Sequence, residues 1–391
     1  NVKIVFMQFK FRKYFSHFII PLFLFLGTFL IYKNIYSNPR NWYDHYLYLT
    51  KSIIQGRVDI PNLPSFYHDK LIFDDKTYIP FPPGASFLLI PFVFLNENIT
   101  QQQVSIFIGA INIALIYLLL LNFTTKKNSL LLSIFFGFGT SFFWSVIVGT
   151  TWFFAHVAAI FFLTISLLFH FKQKHFWSGV FFAFSALTRI PIILSGIFYL
   201  MQLSKHKKKL VIFLTGAFIF IPIFLFYNFL RFGNIFETGY EIIYKQYKSS
   251  GIKYSVGENF GYFDYKNIPL HLYTFFVMPP VFTPLEGLKP SPFGIGILFT
   301  SPLLFIALKP KFKKGIELEA IITAVICAIP SFLHYAQGWV QFGYRFVLDF
   351  IVFLMIVLAL RFRPSRFNLF LILISVIVNY WGVLWAIELG W

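Results

Sequence analysis

Cysteine is almost absent: Cys327 stands alone inside the apolar run "AIITAVICAIPSFL". No internal disulfide can form, cysteine usage carries no information on redox compartment, and Cys327 reads as a small packing residue. Charge is scarce too. Only 12% of the 391 residues are charged, against 58% hydrophobic and 22% aromatic, which is above the roughly 45–50% apolar share of a soluble domain. A water-soluble globular chain is thereby excluded. There is also no Walker signature, no zinc-type Cys/His set and no serine-hydrolase elbow, and "FFGFGTS" and "PFGIGIL" lack the preceding strand and full glycine spacing of nucleotide loops. These absences argue against an ATP-driven pump. No solenoid-period repeat, heptad or Gly/Ser linker divides the chain, so residues 1–391 read as one transmembrane domain.

Long apolar runs are abundant. Crossing hydrocarbon takes about 20 apolar residues per helix, and the pattern predicts an all-α polytopic bundle. Its eleven spans fall near 15–35, 101–122, 129–148, 152–171, 176–188, 190–203, 209–230, 293–308, 318–336, 344–360 and 367–387. Segments 176–188 and 190–203 are short and meet at "LTRIP", as half-length helices packed on protein or a cavity do. Residues 84–96, "GASFLLIPFVFLN", are shorter still and Pro-interrupted, and read as a helix at the outer interface.

A net charge of +18 could suggest nucleic acid, but its distribution gives another account. Threading the spans from a cytoplasmic N-terminus puts Lys3, Lys10, Arg12, Lys13, Lys126, Lys127, Lys172, Lys174, Lys205, Lys207, Lys208, Lys209, Lys309, Lys311, Lys313, Lys314, Arg361, Arg363 and Arg366 inside. Only the acids Glu317 and Glu319 join them. This is the bias of a multi-pass protein of a plasma or inner membrane, and no nucleic-acid partner is expected. The first run, preceded by basic residues and lacking a small-residue cleavage site, reads as an uncleaved anchor.

The same threading creates two large outer loops, 36–100 and 231–292. In the first, "DHYLYLTKSIIQG" places Tyr46, Leu49, Ile53 and Ile54 on one side of a helix ended by Gly56, a pattern suited to a membrane surface. Asp44 begins that helix, where a carboxylate favours the dipole and can cap. The same position suits a general base for an acceptor hydroxyl, and the two roles are compatible. "FYHDKLIFDDKTYIPFPPG" follows. Its Asp74-Asp75 pair reads as a turn between two extended pieces, and its His68-Asp69 pair as solvated loop residues or as ligands of a divalent cation. His156, in "GTTWFFAHVAAIFF", enters an apolar span near the outer end, as a hydrogen-bonded structural residue, a cavity residue or a third metal candidate.

Arg189 in "ALTRIP" and Arg345 in "QFGYRFVLDF" lie at outer ends of apolar segments, where a guanidinium needs an anion. Asp349, four residues on, offers Arg345 a pair, whereas Arg189 has no acid nearby in sequence. Both suit a phosphate. "FLRFGNIFETGY" adds Arg231, Glu237 and Tyr240, with Arg231 also readable as an interfacial anchor.

Taken together, "YDHYLYLTKSIIQGR", "YIPFPPGASFLLIPF", "GTTWFFAHVAA", "ALTRIP", "NFLRFGNIFETGY" and "GYRFVLDF" resemble segments of the GT-C superfamily of lipid-phosphate-sugar-dependent glycosyltransferases. That group includes the protein O-mannosyltransferases and the lipid A aminoarabinose transferases of the glycosyltransferase family 39-like group. The resemblance spans the whole chain through short motifs. It implies a GT-C-like bundle with its active site on the outer face and Asp44 as base. Arg189, Arg345 and Arg231 are then expected at the donor phosphate, and His45, Tyr46, His68, Asp69, His156, Glu237, Tyr240 and Tyr344 around the acceptor. The implied partners are a polyprenyl-phosphate sugar donor, membrane lipids and a glycan, lipid or protein acceptor. The chain departs from the family in two places: its double-acidic signature is Asp44-His45 here, and "YIPFPP" lacks the glutamate with which some relatives bind metal. A divalent ion is therefore an open cofactor, with His68, Asp69 and His156 as candidate ligands. Two rivals stand beside the transferase: a flippase or transporter of an anionic lipid, expected to carry polar residues on both sides and inverted repeats, and a polymerase or ligase using a diphosphate-linked glycan.

Overall fold

A computed structural model describes residues 15–35, 42–250, 260–285, 287–309 and 313–390. The basic residues Lys3, Lys10, Arg12, Lys13 and Lys311 lie outside these described residues. The chain is mostly helical: α1 (Ile20–Ile35, led in by a π-turn at Phe15–Ile19), α2 (His45–Ile54), α3 (Gly84–Leu95), α4 (Gln101–Leu120), α5 (Lys126–Phe138), α6 (Ser141–Val148), α7 (Thr151–Phe171), α8 (His175–Thr188), α9 (Gly196–Leu203), α10 (Lys207–Ala217), α11 (Phe220–Phe232), α12 (Tyr240–Ser250), α13 (Ile268–Phe276), α14 (Ile297–Thr300), α15 (Ile316–Leu333), α16 (Ile351–Arg361) and α17 (Arg366–Leu389). Two small antiparallel hairpins, β1–β2 (Leu71–Phe73, Lys76–Tyr78) and β3–β4 (Val281–Thr283, Gly287–Lys289), interrupt the helices.

Among the described residues six helices are long and apolar enough to cross a membrane: His17–Ile35, Gln101–Leu120, Thr151–Phe171, Lys207–Phe232, Ile316–Leu333 and Arg366–Leu389. The pair α5–α6 makes a seventh, bent by 55°. The bend has a local cause. Gly139 closes α5, and the Thr140 hydroxyl accepts from the Phe142 N–H at 3.2 Å to start a new helix. The expected count of eleven is not reached on length. Residues 176–188 form a 14-residue helix, 190–203 a 3₁₀ turn followed by an eight-residue helix, 293–308 a four-residue helix and a 3₁₀ turn, and 344–360 a 3₁₀ turn before the 11-residue α16. Pro191 and Pro302 sit at the starts of two of these turns, where a missing N–H is tolerated but a continuous helix is broken.

Two helices are central. Within the spanning windows of α4 and α7, 72% of residues are buried, against 17% for the first span and 22% for Lys207–Phe232. The outer helices leave their apolar side chains for lipid. Polar side chains tie the centre: the Asn112 amide donates to the Val157 carbonyl at 2.9 Å, and the Ser185 hydroxyl to Ala159 at 2.8 Å. Helices α8 and α10 approach at reciprocal glycines. A Cβ on Gly179 would lie 2.1 Å from the Phe213 carbonyl oxygen, and one on Gly216 2.2 Å from that of Phe176.

The first loop differs from an interfacial one. Tyr46 and Leu49 are 1% and 0% exposed, so the apolar stripe of α2 faces protein, largely α3. Only Ile54 at its end is exposed. Helix α3 likewise docks on α2 and α8, with the Gly84 α-carbon pressed against Leu187 and Thr188, while Phe94 and Leu95 remain exposed. Gly56, at φ +74°, ends α2 as expected. The Asp74-Asp75 turn also forms: both residues adopt positive φ (47° and 58°) and close β1–β2 in register Phe73↔Lys76.

Candidate functional site

The start of α7, the end of α8 and the segments around residues 43–82, 238–243, 262–263 and 330–346 line a cavity of about 680 Å³. The basic loops gather at the other end of α7. There the Lys209 ammonium donates to Gln173 at 2.7 Å, and Arg361 binds Glu317 at 2.7 Å and the carbonyls of Ile306, Ala307 and Lys309. At 1.5 Å per residue the 21 residues of α7 hold these ends roughly 30 Å apart.

Two of the expected residues, Arg189 and His156, meet through a third, Asp349. The Asp349 carboxylate is fully buried and receives both arms of Arg189, Nε at 2.6 Å and a terminal nitrogen at 2.7 Å. His156 Nδ1 stands 3.1 Å from the same carboxylate, and the Ser331 hydroxyl 3.4 Å. The sequence pairing of Asp349 with Arg345 is thus corrected: the acid belongs to Arg189. The reason is geometric. Arg345–Asp349 is a 3₁₀ helix, in which i and i+3 eclipse and i+4 is rotated away, so the α-helical i,i+4 rule does not hold.

Arg345 lines the cavity without a carboxylate: among the described residues no acid lies within 4.0 Å of its guanidinium. Its contacts are aromatic, with the guanidinium carbon 5.2 Å from the Phe346 ring centre and 5.5 Å from that of Phe153. Arg189 lies over the same Phe346 ring at 5.9 Å, so the two guanidinia share one aromatic neighbour. Arg231 is placed elsewhere. It is 3% exposed, stacks between Tyr227 and Phe232, and donates to the Ile79 carbonyl and the Asn228 side chain, each at 2.7 Å, and to Thr238 at 3.2 Å. It is absent from the described cavity wall and ties the segment around Ile79 to that around Thr238.

The carboxylates of the first loop separate as well. Asp44 occupies the N-cap position of α2, but its side chain makes no cap bond. It is 4% exposed, one oxygen has no partner, and it is not part of the cavity lining. Burial pushes it up from 3.8 to about 7, opposed by the backbone N–H of Gln101 at the start of α4 and by Lys51. Its own N–H donates to the Tyr67 hydroxyl at 3.1 Å. Asp69, by contrast, lines the cavity, with backbone φ +55° and its carboxylate accepting the indole N–H of Trp152. It is the sole acid among the described lining residues.

Of the remaining candidates, Tyr46, His68 and Tyr240 line the cavity. His45 does not. It is a latch whose Nε2 donates to the His68 carbonyl at 2.7 Å and whose N–H donates to the Thr151 hydroxyl at 3.0 Å, and burial lowers its pKa. Glu237 accepts from the Gly239 N–H at 2.7 Å ahead of α12, and the Tyr344 hydroxyl meets His271 Nδ1 at 2.7 Å. Neither reaches the cavity. The metal set does not converge either: His68 and Asp69 face the cavity while His156 lies behind it on Asp349, and among the described residues no group of three or more His, Cys, Asp or Glu could hold an ion. The sequence reading missed Tyr43, Trp152, Tyr262, Tyr335 and Trp339, which supply much of the wall. Their signal was the enrichment of Tyr and Trp at membrane interfaces.

No family model matches the sequence, and no curated protein matches it. Two solved structures do, both of the Archaeoglobus fulgidus oligosaccharyltransferase. The one tethered through a disulfide to an acceptor peptide containing the NVT sequon matches with TM-score 0.50 at 15% identity, and the apo form with 0.48 at 13%. Each match covers 95% of this chain and 55% of the other, so this chain spans about half the length of that protein. At this identity the likeness is one of fold: the chain shares the fold of the matched part of that oligosaccharyltransferase.

Proposed function

We propose that this chain is a membrane glycosyltransferase that moves a sugar from a polyprenyl-phosphate-linked donor to an acceptor hydroxyl, with inversion, at the outer face of a plasma or inner membrane. The observation that carries the reading is Arg345. A guanidinium in a largely apolar cavity is costly without an anion, and a phosphate supplies one with two parallel charge-assisted hydrogen bonds. Arg189 is paired with Asp349, so among the described residues Arg345 is the lining guanidinium that no carboxylate contacts, and a lipid phosphate supplies its counter-charge. The wall of Phe, Ile, Leu, Pro and Tyr side chains suits a lipid-linked sugar entering from the bilayer.

In this reading the acceptor oxygen attacks the anomeric carbon from the side opposite the phosphate. Negative charge growing on the leaving phosphate is met by Arg345, with Arg189 beside it, in a site where such interactions exceed their strength in water. The GT-C fold supports this class, and the gathering of Lys209 and Arg361 at the end of α7 away from the cavity supports an outward-facing cavity. The acceptor is a glycan, lipid or protein.

The test is transfer of radiolabelled sugar from cell-derived polyprenyl-phosphate donors by the purified protein. Arg345→Gln is expected to lower kcat/KM about a hundredfold, the scale of one lost transition-state donor. Wild-type protein that binds these lipids and transfers nothing would instead make the chain a transporter of an anionic lipid.

A further inference from the structure

We propose that Asp69, and not Asp44, is the base that takes the proton from the acceptor. The inference rests on the transferase reading above and specifies which residue acts in that site. A base must lie within hydrogen-bond reach of the proton it removes, directly or through one water, and geometry takes precedence over acidity in choosing it. Asp44 has the burial of a tuned carboxylate, but protein closes it off from the cavity and turns it toward the first turn of α4. Asp69 lies in the wall of the cavity that Arg345 also lines, the one acid among the described lining residues.

Its placement is over-determined by the local fold. The His45 imidazole holds the His68 carbonyl, and the Trp152 indole N–H holds the Asp69 carboxylate from the first turn of α7. The backbone at 69 is left-handed, a conformation that Asp and Asn adopt more readily than most residues and that is found where a side chain must be aimed. Among the described residues, the titratable groups that feel Asp69 include Tyr43 and His45 on its own loop, Tyr240 on α12, Tyr262, and Arg345. The sugar thus comes to lie between a carboxylate and a guanidinium. The acceptor O–H bond breaks as its proton passes to Asp69, the new C–O bond forms at the anomeric carbon, and the old bond to phosphate breaks with its electron pair retained by the phosphate. Asp69 then returns its proton to water in the cavity.

The experiment compares wild type, Asp69→Asn, Asp69→Ala, Asp44→Asn and Trp152→Phe in the same transfer assay, with binding of a sugar-free polyprenyl phosphate as a measure of the folded donor site. Asn retains tolerance of the left-handed backbone, so Asp69→Asn is expected to bind the lipid phosphate as wild type does. Its kcat should fall about 10²–10⁴-fold, the range of a lost general base. Added formate is expected to restore part of the rate of Asp69→Ala, which a merely structural residue would not permit. Trp152→Phe, which leaves the carboxylate present but less well held, should lower kcat about tenfold at unchanged donor KM. Asp44→Asn should stay within about tenfold of wild type. Wild-type transfer with Asp69→Asn equally active, or the large loss falling on Asp44→Asn, overturns the assignment while leaving the transferase reading intact. Absence of transfer by wild type overturns the reading itself.

Discussion

Replacing Asp44 by Asn should make this protein more stable at alkaline pH, the reverse of the usual result for a helix N-cap. The carboxylate is 4% exposed, one of its oxygens has no partner, and burial raises it from 3.8 to about 7. A folded-state value above the unfolded one means that the native state holds the extra proton between those limits. Stability is therefore greatest below about pH 4 with respect to this group and declines as pH rises toward 7. At about 1.4 kcal/mol per pH unit, that interval corresponds to a penalty of about 4 kcal/mol above pH 7. Asn has the same shape and no charge to desolvate, and its oxygen can still accept from the Gln101 N–H. Its amide must find a partner, at a cost of about 1–3 kcal/mol, so the net gain at pH 8 is about 1–3 kcal/mol, an increase of a few degrees in Tm. Tyr67, pushed up to about 12 by burial, stays neutral across this range and does not obscure the trend. The assay is thermal unfolding of the purified protein in detergent at pH 5 and pH 8. A wider Asn advantage at pH 8 is expected. An Asn variant that melts below wild type at pH 8 would show the carboxylate to be well paired, and the reasoning would fail.

Three further outcomes follow from the packing. Asp349→Ala leaves Arg189 and His156 facing each other without their carboxylate, and should destabilise by about 3–5 kcal/mol, the cost of breaking a buried pair; thermal unfolding and lipid-phosphate binding should both decline. Arg231→Gln removes buried bonds to Ile79, Asn228 and Thr238 and should lower Tm while donor KM stays within about twofold, because Arg231 does not line the cavity; a donor KM raised about tenfold would return it to the phosphate site. Gly216→Ala brings a methyl group to 2.2 Å from the Phe176 carbonyl oxygen and must push α8 and α10 apart, a strain of about 1–3 kcal/mol or more, which a Tm equal to wild type would contradict.

Much of the architecture was legible because the membrane imposes long apolar runs and charge asymmetry. Gly56 and the Asp74-Asp75 turn were equally readable, since each residue type supplies the left-handed backbone that its position requires. The short elements were less so. A run such as 344–360 has the composition of a span, yet its first five residues form a 3₁₀ turn and α16 has only 11 residues. Hydropathy registers apolar environment, and the interior of a bundle is as apolar as lipid. For the same reason the stripe on α2 was assigned to the membrane when it faces α3: an amphipathic period specifies that one face is covered and does not name what covers it.

The site shows a different boundary. Residue types were located correctly by cost, since Asp, His and Arg in apolar surroundings need partners, but the identity of each partner is a long-range property. Arg189 and Asp349 are 160 residues apart, and no local rule could join them once the 3₁₀ turn had removed Asp349 from Arg345. That single exchange of partners determines the electrostatics of the cavity. With Asp349 on Arg345, the free cation would have been Arg189, at the end of α8 and against α3. With Asp349 on Arg189, the lining guanidinium that contacts no carboxylate among the described residues is Arg345, at the start of the 3₁₀ turn that precedes α16. In the proposed transfer the donor phosphate is therefore held at Arg345, and the acceptor is assigned to the part of the wall that carries Asp69, Tyr240 and Tyr262.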